Sequence, residues 1–143
     1  MVDPEEAARR VAESFARQEF MATLGARLES VKPGEVEVAL DVRPALLQQH
    51  GFVHAGVVSA IADSAAGYAA LSLQPPGTEV LTAEFKLNLM APARGTRLVA
   101  RARVLRAGRT LTVAAADVFA LQDGQETCVA TLLGTIFSSA RHP

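Results

Sequence analysis

Residues 48–67 read QQHGFVHAGVVSAIADSAAG, and the same small, apolar run continues to Leu73. From Gly56 onward nearly every side of the predicted helix is hydrophobic or small, through Val57, Val58, Ala60, Ile61, Ala62, Ala65, Ala66, Ala69, Ala70 and Leu71. A helix apolar all round belongs in the middle of a structure. One residue breaks the pattern. Asp63 is a lone carboxylate, and an ionised group in a dry interior is costly unless it is partnered or neutralised. Its neighbours at three and four residues are Ser59, Ala60, Ala66 and Gly67, none of them cationic, so no helical ion pair supports it. Ser59, Asp63 and Gly67 form a small, slightly polar stripe, open enough to admit water or a ligand. Asp63 is either held by hydrogen bonds from another element or kept for chemistry.

The elements on either side set the fold class. Asp3-Pro4-Glu5-Glu6 has an N-cap, a proline at the first helical position and acids in the first turn. It opens a helix predicted over residues 4–21, with Ala8, Val11, Phe15 and Phe20 near one side and Gly25 as its stop. Two short strands follow, about 26–32 and 35–42, joined by Pro33-Gly34 and ended by Arg43-Pro44. The central helix is predicted over about 55–73, ahead of a turn at Gln74-Pro75-Pro76-Gly77. Beyond it Leu81, Ala83, Phe85, Leu87 and Leu89 alternate with Thr82, Glu84, Lys86 and Asn88, as a strand with one apolar face should. Strands over 98–106, 110–121 and 126–138 complete the chain, with turns at Ala107-Gly108 and Asp123-Gly124. Helices do not alternate regularly with strands, so the expected class is α+β with an antiparallel sheet. The simplest arrangement wraps a sheet of about six strands around the central helix, in one domain over residues 1–143.

Bulk composition narrows the function. The chain has 143 residues, 50% hydrophobic and 20% charged, the mix of an ordinary globular protein. Fourteen basic and fifteen acidic residues leave a net charge of −1, which argues against nucleic acid or a membrane surface as an electrostatic partner. The single cysteine, Cys128, leaves no internal disulfide. With three scattered histidines and no second acidic cluster, a metal site is not expected. The N-terminus lacks the pattern of a signal peptide and no stretch reads as a membrane span. A cytoplasmic location is the expectation.

The chemistry lies where the loop turns into the central helix. His54-Ala55-Gly56 sits at the helix start, where backbone N–H groups have no internal partner and carry the positive end of the dipole. Pointed at a carbonyl oxygen, such a group stabilises a tetrahedral oxyanion by ~3–4 kcal/mol. Gly51 and Gly56 allow a close backbone approach, although both also suit a tight turn in which His54 caps or packs. Eight residues separate Ala55 from Asp63, roughly 12 Å along a helix axis. A base must lie about 3 Å from the atom it acts on. If both groups serve one reaction, Asp63 comes from a second subunit.

These residues resemble a known family, the acyl-CoA thioesterases of hotdog fold and phenylacetate-pathway (PaaI-like) type. Its pattern is an Asn or Gln, two residues, Gly, two residues, His-Gly-Gly, then Asp or Glu nine positions after that His. Here it reads Gln48, Gly51, His54-Ala55-Gly56 and Asp63, and the similarity extends through LTAEFKLNLMAPARGTRL to cover roughly 35–137. The resemblance implies that Asp63 is the general base or nucleophile and that the Ala55 N–H polarises the thioester carbonyl. It implies that His54 orients the loop or thioester, that Gln48 helps place the nucleophile or water, and that Thr82 contributes to water binding. It further implies homo-oligomers, dimers of dimers with the site shared between subunits, and CoA as part of the substrate with no separate cofactor. Two departures stand out: Ala55 replaces the first motif glycine, where any φ > 0 would be costly, and Gln48 stands where many relatives have Asn.

CoA carries phosphates, so Arg94, Arg106 and Arg109, at strand ends or turns, are candidates to meet them; each also reads as a solvated surface residue. Arg101 and Arg103 read as solvent-facing sheet residues. Ser64, Gly67 and Tyr68 are candidates to line an acyl pocket, and core packing explains Tyr68 equally. The leading expectation is metal-free hydrolysis of an acyl-CoA. The alternatives are a non-catalytic acyl-CoA-binding protein and an acyl-thioester hydratase or dehydratase.

Overall fold

A computed structural model describes residues 1–140. Asp3 caps the first helix, its side chain accepting from the Glu5 N–H at 3.0 Å, and Pro4 takes the first helical position. That helix, α1 (Pro4–Ala16), is shorter than the sequence predicts. The chain breaks at Arg17-Gln18, and a second helix, α2 (Glu19–Leu24), ends at Gly25 in the left-handed conformation, φ 70°. The single helix over 4–21 is thus corrected to two. At about 100° per residue, Met21 in an unbroken helix would lie roughly 80° from Val11 and Leu24 roughly 140° from it. Breaking the helix lets Val11, Met21 and Leu24 all enter one core, and it turns Phe20 out to solvent.

Strands β1 (Arg27–Lys32) and β2 (Glu35–Asp41) form the predicted hairpin. The central helix, α3 (Ala55–Leu71), is followed by β3 (Thr78–Leu89), β4 (Arg97–Arg106), β5 (Leu111–Gln122) and β6 (Gln125–Ala140). All pairings are antiparallel, in the order β1-β2-β4-β5-β6-β3. Asp123 and Gly124, both at positive φ, make the two-residue turn between β5 and β6, where left-handed residues match the twist of the strands. The fold is α+β, a hotdog in which the six-stranded sheet curves around α3. Ile61, Ala62, Ala65, Ala66 and Ala69 are fully buried against Val38, Leu40, Leu98, Ala100, Ala116 and Val118. No helix among the described residues is long and apolar enough to cross a membrane.

One irregularity decides the site. The β3–β6 register shifts between Thr82 and Glu84, a bulge that inserts an extra residue and reverses side-chain alternation. Leu81 pairs with Phe137, and both are exposed on the outer face. Thr82 pairs with the buried Ile136, so it points toward α3, as do Phe85, opposite Gly134, and Leu87, opposite the buried Leu132. The uninterrupted alternation from Leu81 to Leu89 is therefore corrected: Thr82, and not Leu81, shares the inner face with Phe85 and Leu87.

Candidate functional site

The loop before α3 is held by Gln48. Its backbone N–H donates to Phe52 O at 2.8 Å, its carbonyl accepts from Gly51 N at 3.0 Å, and Gly51 turns the chain at φ 84°. The Gln48 side-chain oxygen accepts from His50 N at 2.5 Å and from Phe52 N at 3.3 Å. The amide NH₂ of Gln48 takes no part in these bonds and keeps its two donors.

His54 caps α3: its Nδ1 accepts from the Gly56 N–H at 2.8 Å, and its carbonyl accepts from Val57 and Val58. The capping nitrogen carries no proton, so any donor of this imidazole is Nε2. Gly56 is small for a reason. A Cβ there would lie 3.0 Å from His54 Nδ1. With the Gly56 amide spent on the cap, Ala55 has the N–H that no other described residue engages. Ala55 is the first residue of the helix and does not have positive φ, so the alanine costs nothing in backbone strain. Gln48, His54 and Ala55 line a cavity of about 470 Å³ whose other walls are apolar, among them Phe52, Val58, Leu89, Met90 and Val129.

Asp63 is not in a dry interior. Ser59, Ala60, Asp63, Ser64 and Gly67 make one incompletely covered stripe along α3, and Asp63 is half-buried. A Cβ on Gly67 would meet nothing within 4 Å. The bulge carries Thr82 into this gap, where its Oγ1 donates to Asp63 Oδ1 at 2.7 Å. A hydrogen bond from another element thus partners the carboxylate. Asp63 and Thr82 line a second cavity of about 340 Å³ with Ser14, Gln18, Ser64 and Tyr68 among its walls. None of its lining residues lies on the cavity at the helix entrance. Within one chain the Ala55 amide and the Asp63 carboxylate face different spaces.

The three arginines separate. Arg94 stacks its guanidinium 4.5 Å above the Phe52 ring and lines, with His50 and Gly51, a cavity adjoining the helix entrance. Arg106 and Arg109 stand exposed around the β4–β5 turn, where Gln74, just past α3, donates to Gly108 O at 3.2 Å. They lie at the other end of α3 from Arg94. Tyr68 is buried, packs at 5.8 Å on Phe15 and lines the Asp63 cavity. Among the described residues no three His, Cys, Asp or Glu side chains converge as metal ligands.

Ser14, Gln18 and Glu79 are the polar residues of the Asp63 cavity that sequence reasoning missed. Gln18 falls seven residues after Val11 and three after Phe15, so an amide on the apolar side of the predicted helix was the signal that could have found it.

Residues 50–127 match the Thioesterase superfamily. A thioesterase family protein from Silicibacter pomeroyi has 50% sequence identity and a TM-score of 0.93, over 94% of this chain and 99% of that one. A variant of the phenylacetic acid degradation protein PaaI from Thermus thermophilus has 30% identity and a TM-score of 0.72, over 84% and 98%. The PaaI protein of the E. coli phenylacetic acid degradation operon, at 21% identity, shares the fold with a TM-score of 0.86 over 96% of each chain. By the matched family and by relatives covering most of its length, the chain belongs to the thioesterase superfamily.

Proposed function

We propose that this protein hydrolyses acyl-CoA thioesters in sites shared between two copies of the chain. The observation that carries the reading is Asp63, a carboxylate held by Thr82 on the open stripe of an otherwise apolar helix. The Ala55 N–H of the second copy polarises the thioester carbonyl, while Asp63 takes a proton from water or attacks the carbonyl carbon itself. Either route builds negative charge on the carbonyl oxygen, where a fixed helix-start amide stabilises it. Collapse breaks the C–S bond, and CoA leaves as the thiol after taking up a proton; on the second route water then cleaves the mixed anhydride, releasing the acid and restoring Asp63. Gln48 offers its NH₂ beside the reacting group, His54 fixes the helix start, and Arg94 meets a CoA phosphate.

The edge position of β3 supports the shared site. It is a twelve-residue strand paired on one side by β6, with Leu81 and Leu89 exposed, and a long open edge is a template for another strand. It also carries Thr82, so a copy docked there brings its own residues beside Asp63.

The test is thiol release from a panel of aromatic and aliphatic acyl-CoAs by wild type and Asp63→Ala. Loss of turnover in the variant is expected; hydrolysis that survives overturns the assigned mechanism, and no release by the wild type favours a binding role. Sharing is tested by co-refolding Asp63→Asn with Ala55→Pro. Half of randomly formed dimers are mixed and each mixed dimer holds one intact site, so about a quarter of wild-type activity returns. No rescue places both groups in one chain.

A further inference from the structure

The joint between α1 and α2 concentrates polar side chains against the Asp63 cavity. Gln18 occupies it in an extended conformation, φ −86° and ψ 97°, and makes no side-chain cap to α2. Its amide reaches α3 instead: Nε2 donates to the Tyr68 hydroxyl at 3.0 Å, and Oε1 accepts from Ser64 Oγ at 3.2 Å. Ser14 Oγ shares a hydrogen bond with the same phenol at 3.3 Å. An amide NH₂ has two donors, and two hydroxyls joined by one bond keep a second proton between them. The wall therefore holds one Gln18 N–H and one hydroxyl proton beyond the bonds already made.

The placement matches an acyl group extending from the carboxylate. Tyr68 is five residues beyond Asp63, roughly 7.5 Å along the axis, and helical side chains lean back toward the N-terminus. Gly67 leaves the path between them clear. At about 340 Å³ the space is larger than the ~150 Å³ that holds a benzene molecule. Asp63, which lines it, is a carboxylate, which disfavours an anionic tail. The cavity at the helix entrance, in contrast, is walled mostly by apolar side chains.

We propose that the α1–α2 joint is the far wall of the acyl site, where Gln18 positions Tyr68 to select acyl groups ending in a neutral hydrogen-bond acceptor, such as a ketone or hydroxyl. The inference rests on the thioesterase reading and adds the substrate class. An alkyl end of equal length leaves the wall's donors unpaired, and a site built to hydrogen-bond discriminates strongly against the analogue that lacks the partner.

The test compares kcat/KM for 5-oxohexanoyl-CoA and hexanoyl-CoA in wild type, Gln18→Met and Tyr68→Phe. Wild type is expected to prefer the oxo ester by ~10-fold or more, and each variant to lower that ratio by about tenfold. Tyr68→Phe keeps the ring on Phe15, so it probes the wall even if Gln18→Met fails to fold. A variant that slows both esters equally overturns the proposal, because the wall then serves the shared thiol or the fold. Wild-type preference for hexanoyl-CoA overturns it too. Failure of wild type to cleave any acyl-CoA instead defeats the hydrolase reading, and this inference with it.

Discussion

Thr82 Oγ1 stands 2.7 Å from Asp63 Oδ1 and joins the edge strand β3 to the central helix. The bond exists because a bulge between Thr82 and Glu84 reverses the alternation of β3. A hydroxyl donor on one carboxylate oxygen fixes the rotamer, and in the proposed reaction the second oxygen meets water or the carbonyl carbon.

Thr82→Val removes that donor and keeps the β-branched shape. With Asp63 free to rotate, kcat is expected to fall ~10–100-fold while KM changes little, since the lost contact orients a reacting group. Thr82→Ser should recover most of the rate. Steady-state kinetics on one acyl-CoA decides it, and an unaffected kcat removes Thr82 from the mechanism.

Ala55→Pro deletes the proposed oxyanion donor with little harm to the helix. Proline is favoured at the first helical position, and His54, at ψ 138°, already has the extended backbone that a residue before proline needs. The expected loss is ~10²–10³ in kcat with a melting temperature close to wild type. A fully active Ala55→Pro enzyme would mean that the oxyanion is held elsewhere.

His54→Ala leaves the Gly56 N–H without its cap. The expected destabilisation is about 1 kcal/mol, a fall in Tm of roughly 2–4 °C for a domain of this size. His54→Asn, which also offers an acceptor, should lose less. Calorimetry of the two variants separates capping from any direct role of the ring in turnover.

Acid weakens the outer face of the sheet. Arg101 donates to both oxygens of Glu126 at 2.8 and 2.7 Å, and this hydrogen-bonded pairing lowers the carboxyl below its usual range. A folded-state pKa below the unfolded value stabilises the fold above the unfolded pKa, about 4.3, and that contribution fades as pH falls through the folded value. Both side chains are more than a third exposed, so the effect is small and screened by salt. Thermal melts of wild type should fall more steeply below about pH 4.5 than those of Glu126→Gln. Equal slopes would assign the acid sensitivity to other carboxylates.

Much of this protein could be read before folding it. The apolar-all-round run from Val57 to Leu71 placed that helix at the centre, because hydrophobic periodicity is local in the chain. The Asp3-Pro4 cap, the Pro33-Gly34 turn and the Asp123-Gly124 turn are local for the same reason. The spacing of Ala55 and Asp63 was legible too, since helical rise converts sequence separation into distance.

Tertiary structure decided the rest. A bulge cannot be seen in β3 alone, because it is a mismatch of register with β6, and without it Thr82 would face solvent. The break at Gln18 follows from where the core needs Met21 and Leu24, and it sets an amide against Ser64 and Tyr68. Whether Asp63 is sealed or open depends on which stripe of the helix the curved sheet leaves uncovered. Each is a relation between segments distant in the chain, fixed by packing and not by the propensity of either segment.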